Sequence, residues 1–151
     1  MKPNSHTPFV FAVLLILFIC NTHASVESAE RTSIKGIMIL ASEKPGKSDN
    51  RVRPYEGKLR RLFKFEHYQF LGEGRSNIAV PGQTAFSLGG GFRLAVQMTD
   101  AGDNRFRARV EWTRGSTRLI KTTVLMRKGT PTILGGPAHG GGHLIVILTA
   151  K

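Results

Sequence analysis

The sequence predicts a mainly β domain: an antiparallel β-sandwich of about eight strands with one short helix in its N-terminal half. Two-residue alternation dominates the second half of the chain. It is clearest where Phe106, Ala108, Val110 and Trp112 alternate with Arg105, Arg107, Arg109 and Glu111, a period that sends one set to each face of a strand. Turn-forming clusters of Gly, Pro, Asp and Asn recur every roughly 8–14 residues, the spacing of a sandwich. Helical periodicity is confined to Tyr55–Phe63. A sheet carrying that helix on one face, an α+β arrangement, is the alternative.

Taken in order, Ile34–Ala41 (IKGIMILA) is an apolar, β-rich run suited to a strand buried on both faces. Ser42–Pro54 is a loop by composition. Tyr55, Leu59, Leu62 and Phe63 stand at i, i+4, i+7 and i+8 and predict a helix of about three turns, with Pro54 at its start. Glu66–Leu71 is a strand ended by Gly72 and Gly74, and Ile78–Val80 a short one ended by Pro81-Gly82. Thr84–Leu88 and Phe92–Met98 follow, separated by three glycines. Asp100–Asn104 turns the chain into Arg105–Trp112, which gives a hairpin. Arg118–Arg127 is β-branched. Thr132–Leu134 is a short strand, Gly135–Gly142 a Gly-rich connection, and His143–Thr149 a fully apolar strand, central or else covering the core. Tyr55, Phe63, Phe65, Tyr68 and Phe70 form an aromatic zone, expected to fill the core between helix and sheet, the alternative being an exposed patch that docks a partner chain.

The start of the chain is different in kind. Lys2 precedes twelve uninterrupted apolar residues, Phe9–Cys20, and small Thr22 and Ala24 precede Ser25. That is the layout of a secretory signal peptide. As a helix the apolar run reaches roughly 18 Å, short of a bilayer core of about 30 Å. The expected organisation is a signal peptide over 1–24, a flexible leader over 25–32 and a single β-rich domain over 33–151. Lipid attachment at Cys20 is not expected, because Phe18 and Ile19 replace the small residues that such sites need. Cys20 is the only cysteine, so the mature chain has no disulfide, thiolate ligand or thiol nucleophile. The expected home is periplasmic or extracellular. The absence of any Asn-x-Ser/Thr triplet leans towards a bacterial source.

The formal charge is +12, and loss of the signal peptide removes only Lys2 from it. A basic exported protein is drawn to anionic surfaces. The candidate anion- or partner-binding residues are Arg93, Arg105, Arg107, Arg109, Arg118 and Lys121, which share a sheet face if their strands pair in sequence. Guanidinium forks suit carboxylate and phosphate. A solvated outer face with Glu111 and Asp103 as partners explains the same pattern without a ligand. Parity puts Phe92, Phe106 and Trp112 on the opposite face, so the stacking platform of single-strand nucleic-acid binders is missing and a specific nucleic acid is not expected.

His139 and His143 are weak metal candidates: a Gly loop does not fix their geometry and no third ligand is near in sequence. No metal or cofactor is expected. Glu66 and His67 point to opposite faces of a strand, and Ser42, Ser76, Ser87 and Ser116 lack a nucleophile-elbow context. The expectation is therefore a nonenzymatic binding module for an envelope polyanion or a protein partner. The alternatives are a small envelope hydrolase or glycan-modifying enzyme, and a structural subunit of an envelope or secretion assembly with an apolar edge at His143–Thr149.

The succession YEGKLRRLFKFEHYQFL, GGGFRLAV, GTPTILGGP and GGHLIVILTA is similar to small signal-peptide-bearing bacterial exported proteins of uncharacterised function. The likeness spans most of Ile34–Ala150. It implies an exported bacterial domain and transfers no activity, cofactor or site residue.

Overall fold

Strand β1 (Glu30–Ser42) leads through a loop to helix α1 (Arg53–Leu62), after which the chain is entirely strands and turns. These are β2 (His67–Val80), β3 (Gly82–Gly89), β4 (Phe92–Asp100), β5 (Arg105–Arg114), β6 (Thr117–Arg127), β7 (Thr132–His139) and β8 (Gly142–Ala150). They form two antiparallel four-stranded sheets: sheet I in the order β2-β1-β8-β7, and sheet II in the order β3-β4-β5-β6. The fold is a β-sandwich, as the alternation predicts. The structure is a computed structural model that describes residues 29–151; the expected signal peptide, with Cys20, lies outside the described residues. No helix among the described residues is long and apolar enough to cross a membrane.

Two apolar layers follow from the patterning of the central strands. In β1, Ile34 and Met38 face sheet II, while Ile37, Ile39 and Ala41 face away from it; in β8, Leu144, Val146 and Leu148 face inward, and Ile145 and Ile147 outward. The inward set joins Leu94, Val96, Phe106, Val110 and Trp112 in the core between the sheets. The outward set packs beneath α1 with Leu59, Tyr68 and Val52, flanked by Tyr55, Phe63, Phe65 and Phe70. The aromatic zone thus fills the helix–sheet gap. Strands apolar on both faces need cover on both faces, and α1 supplies the second cover.

Several expected boundaries move. The expected leader extends to residue 32, but β1 begins at Glu30, paired with Val80, and Thr32 is buried with its hydroxyl bonded to the Lys151 carbonyl. Leu62 is 57% exposed. The contact ridge is Tyr55–Leu59–Phe63 at i, i+4, i+8, and Leu62 lies about 60° round the helix from Leu59. Strand His143–Thr149 is not an edge: β8 runs between β1 and β7. Gly135–Gly142 is not one long loop. Strand β7 continues through it with a register shift between Gly135 and Ala138, and only Gly140 (φ 55°) and Gly141 (φ 79°) form the turn. Both dihedrals are positive, as a tight two-residue hairpin requires.

Gly72 and Gly74 do not end β2. A bulge opposite Met38/Ile39 leaves Leu71 as the extra residue and reverses parity. Tyr68 and Phe70 therefore face α1, whereas Gly72, Gly74, Ile78 and Val80 face inward. A Cβ on Gly72 would overlap the Leu88 carbonyl, and one on Gly74 the Ser87 carbonyl. The glycines let β2 lie close against β3, which closes that side of the sandwich, and the chain crosses between the sheets at Val80–Pro81.

Candidate functional site

Among the described residues α1 covers the outer face of sheet I, and no element covers that of sheet II. Strands β4, β5 and β6 pair in sequence order, which assembles the outward residues into rows across the sheet. One row is Ser87, Arg93, Thr113 and Arg118; the next is Ala85, Ala95, Glu111 and Lys121; the next is Gln83, Gln97, Arg109 and Thr123. Beyond them, Thr99 faces Arg107 and Leu125, and Arg105 faces Arg127. All six sequence-predicted residues, Arg93, Arg105, Arg107, Arg109, Arg118 and Lys121, lie on this face.

Arg118 reaches it through a bulge. Strict alternation would put Arg118 and Lys121, three residues apart, on opposite faces. The register shift at Trp112/Thr113 sets Ile120 against Trp112 and Arg118 against Thr113. Leu119 and Ile120 then both pack on the core, and Arg118 turns outward, its Nε 3.3 Å from Glu111 Oε1.

Neutralisation of the face is partial. Glu111 engages Arg118, and Asp103, in the preceding turn, accepts from Arg105 Nη2 at 2.9 Å. Arg109 Nη1 donates to Gln97 Oε1 at 3.4 Å. Among the described residues Arg93, Arg107, Arg109, Lys121 and Arg127 form no ion pair. Arg127 was not among the sequence candidates; its signal was the end of the β6 alternation. Like charges directly opposite one another, as in the Arg105–Arg127 pair, disfavour a sheet, so a bound anion would relieve the face.

The face has relief as well as charge. The directly opposed Ala85 and Ala95 carry one-carbon side chains where their neighbours carry long polar ones. They floor an open depression of about 530 Å³. Gln83 and Gln97 border it on one side, and Arg109, Glu111 and Lys121 complete the rim. Sequence reading missed the glutamines and alanines. Two small residues at outward positions among long polar ones were the available sign.

The other candidates do not converge. His139 stands edge-on to Phe92, centroids 5.7 Å apart, and His143 lies against Phe65 at 5.4 Å. Phe92 belongs to the core between the sheets and Phe65 to the layer under α1, so the two imidazoles sit on opposite faces of sheet I. Among the described residues no three His, Cys, Asp or Glu side chains group as metal ligands would. Phe92, Phe106 and Trp112 are buried, as parity predicts. No family model matches the chain, and no similar curated protein or solved structure was found.

Proposed function

We propose that this chain is a noncatalytic, exported binding module that associates with an anionic envelope component or an acidic partner protein through the outer face of sheet II. One observation carries the reading. Among the described residues the outer face of sheet II is the sheet face without a covering layer, and it bears seven cations, Arg93, Arg105, Arg107, Arg109, Arg118, Lys121 and Arg127, against one strand carboxylate, Glu111, and the turn residue Asp103 that pairs with Arg105. Three adjacent strands, β4, β5 and β6, hold them on one twisted plane, so binding needs little ordering of the backbone. Guanidiniums on such a plane can each offer two parallel donors to carboxylate, sulfate or phosphate. With the large aromatics buried, recognition rests on charge and hydrogen bonds, and ligands that bind by base stacking are disfavoured.

The test is retention on immobilised heparin as a general polyanion. Wild-type protein is expected to be retained and to elute steeply with salt, because exposed charges are screened within about 10 Å at 0.1 M. Replacing Arg105, Arg107 and Arg109 with Gln should lower the eluting salt markedly; unchanged elution would remove this face from the reading. Export is checked separately. The secreted chain should have an intact mass beginning at Ser25, and an uncleaved chain in the cytosol would contradict it.

A further inference from the structure

We infer that the Ala85–Ala95 depression is a subsite for one uronate unit of an acidic polysaccharide. This rests on the proposal that the outer face of sheet II binds anions, and it names the chemistry of the ligand.

The groups around the depression are mixed in kind, and the mixture selects among anions. Lys121 and Arg109 supply cationic donors. Arg109 spends one N–H on Gln97 Oε1, which leaves the rest of its fork for a carboxylate. Glu111 engages Arg118 through Oε1, and its second oxygen accepts no bond among the described residues. The amides of Gln83 and Gln97, cross-strand partners, each bring donors and an acceptor. A bare phosphate chain has no hydroxyl to give Glu111 or the amide oxygens, and it would be repelled by the Glu111 carboxylate. A uronate satisfies both sets: its carboxylate meets Arg109 and Lys121, and its ring hydroxyls donate to Glu111 and to a glutamine oxygen.

The floor is equally particular. Ala85 and Ala95 present two methyl groups side by side on neighbouring strands, about 4.8 Å apart. That matches the C–H face of a pyranose ring. Longer side chains there would fill the space. The rest of the face, Arg93 and Arg118 on one side and Arg107, Arg105 and Arg127 on the other, extends the cationic surface in both directions along the strands. A polymer with repeated carboxylates can follow it while one unit occupies the depression.

The experiment compares three probes by calorimetry at fixed ionic strength: a galacturonate tetramer, the neutral galactose tetramer, and a linear polyphosphate of equal charge to the first. Two variants are used. Ala95→Leu fills the depression and keeps every charge. Gln83→Ala with Gln97→Ala removes the amides and leaves the floor open. Circular dichroism checks that each is folded. Wild-type protein is expected to bind the galacturonate tetramer more tightly than polyphosphate. Either variant should weaken the tetramer by about tenfold, the double variant by removing one or two hydrogen bonds and Ala95→Leu by lifting the ring out of their reach, with polyphosphate changed by less than about twofold. If tetramer and polyphosphate bind alike and neither variant affects either probe, the uronate subsite is wrong and the anion-binding face stands. If neither anionic probe binds wild-type protein, the face and the subsite both fail. Tight binding of the neutral tetramer would overturn the requirement for a carboxylate.

Discussion

Asp49 ties down the loop between β1 and α1 almost by itself. Its carboxylate accepts from the Arg51 backbone N–H at 2.9 Å, from Nε at 3.0 Å and from Nη2 at 2.8 Å. Its own N–H donates to the Tyr68 carbonyl at 3.0 Å, and the Arg51 guanidinium lies 3.7 Å over the Phe70 ring. Hydrogen bonds from the Arg51 side chain lower the Asp49 pKa from 3.8 to about 2. Glu56, bonded by Arg60 and then by Ser48, is lowered as well. Both carboxyls are depressed on folding, so their contribution is complete above the unfolded value near 4. For Asp49 it is lost as pH falls through about 2. The groups are only partly buried and are screened by solvent, so the change should be local. Amide hydrogen-exchange protection across residues 47–52, referred to the intrinsic rate at each pH, should fall between about pH 4 and pH 2, ahead of the strands, and Asp49→Asn should show that lower protection at neutral pH. A carboxyl titration by NMR with its midpoint at 3.8 or higher would refute the argument. Composition marks Ser42–Pro54 as a loop, and it is one. Its knot is not legible, because pairing at i, i+2 depends on a turn geometry that composition does not specify.

At the scale of elements, period and turn chemistry were enough wherever a strand follows one rule along its length. Strand β5 alternates without interruption, and so its buried and exposed sets follow parity. The misreadings fall where parity changes or where a glycine is there for closeness rather than for a turn. In sequence, β2 reads as two pieces because Gly72 and Gly74 look like terminators; the Leu71 bulge instead aims them at β3. The distinction yields two opposite predictions for one substitution. Gly74→Ala puts a methyl against the Ser87 carbonyl and 2.6 Å from Phe86 Cδ2, and it should destabilise by about 1–3 kcal/mol, the ordinary cost of overpacking. Gly57→Ala, within α1 and with nothing inside 4 Å of the new Cβ, should stabilise by about 0.5–1 kcal/mol through helix propensity. Urea unfolding followed by the fluorescence of Trp112, the only tryptophan and 1% exposed, measures both. Equal shifts of one sign would mean that β2 does not press on β3 at Gly74.

On the scale of the whole molecule, net charge and charge placement make different claims. The cationic row was legible before the fold because β4, β5 and β6 pair in sequence, the simplest connection. The bulge that delivers Arg118, and the Ala85–Ala95 depression, were not legible, since each depends on which residues end up opposite one another. Net charge alone would draw the protein to any polyanion from any side, and α1 offers a second basic surface in Arg53, Arg61 and Lys64, all exposed and without ion pairs among the described residues. A matched pair of variants separates the two. Changing Arg105, Arg107 and Arg109 to Gln removes three charges from sheet II, and changing Arg53, Arg61 and Lys64 to Gln removes three from the helix side. If placement governs, the first set should make the dependence of log affinity on log salt shallower by on the order of two to three, about one released counterion per lost contact. The second set should leave the slope close to wild type, because those cations sit behind sheet I, across the full thickness of the sandwich from the binding plane. Two stacked sheets lie about 10 Å apart, roughly one screening length at 0.1 M salt, so charges on α1 are too distant to substitute for the row. Equal loss of slope from both sets would show that attraction follows total charge and that sheet II has no privileged role.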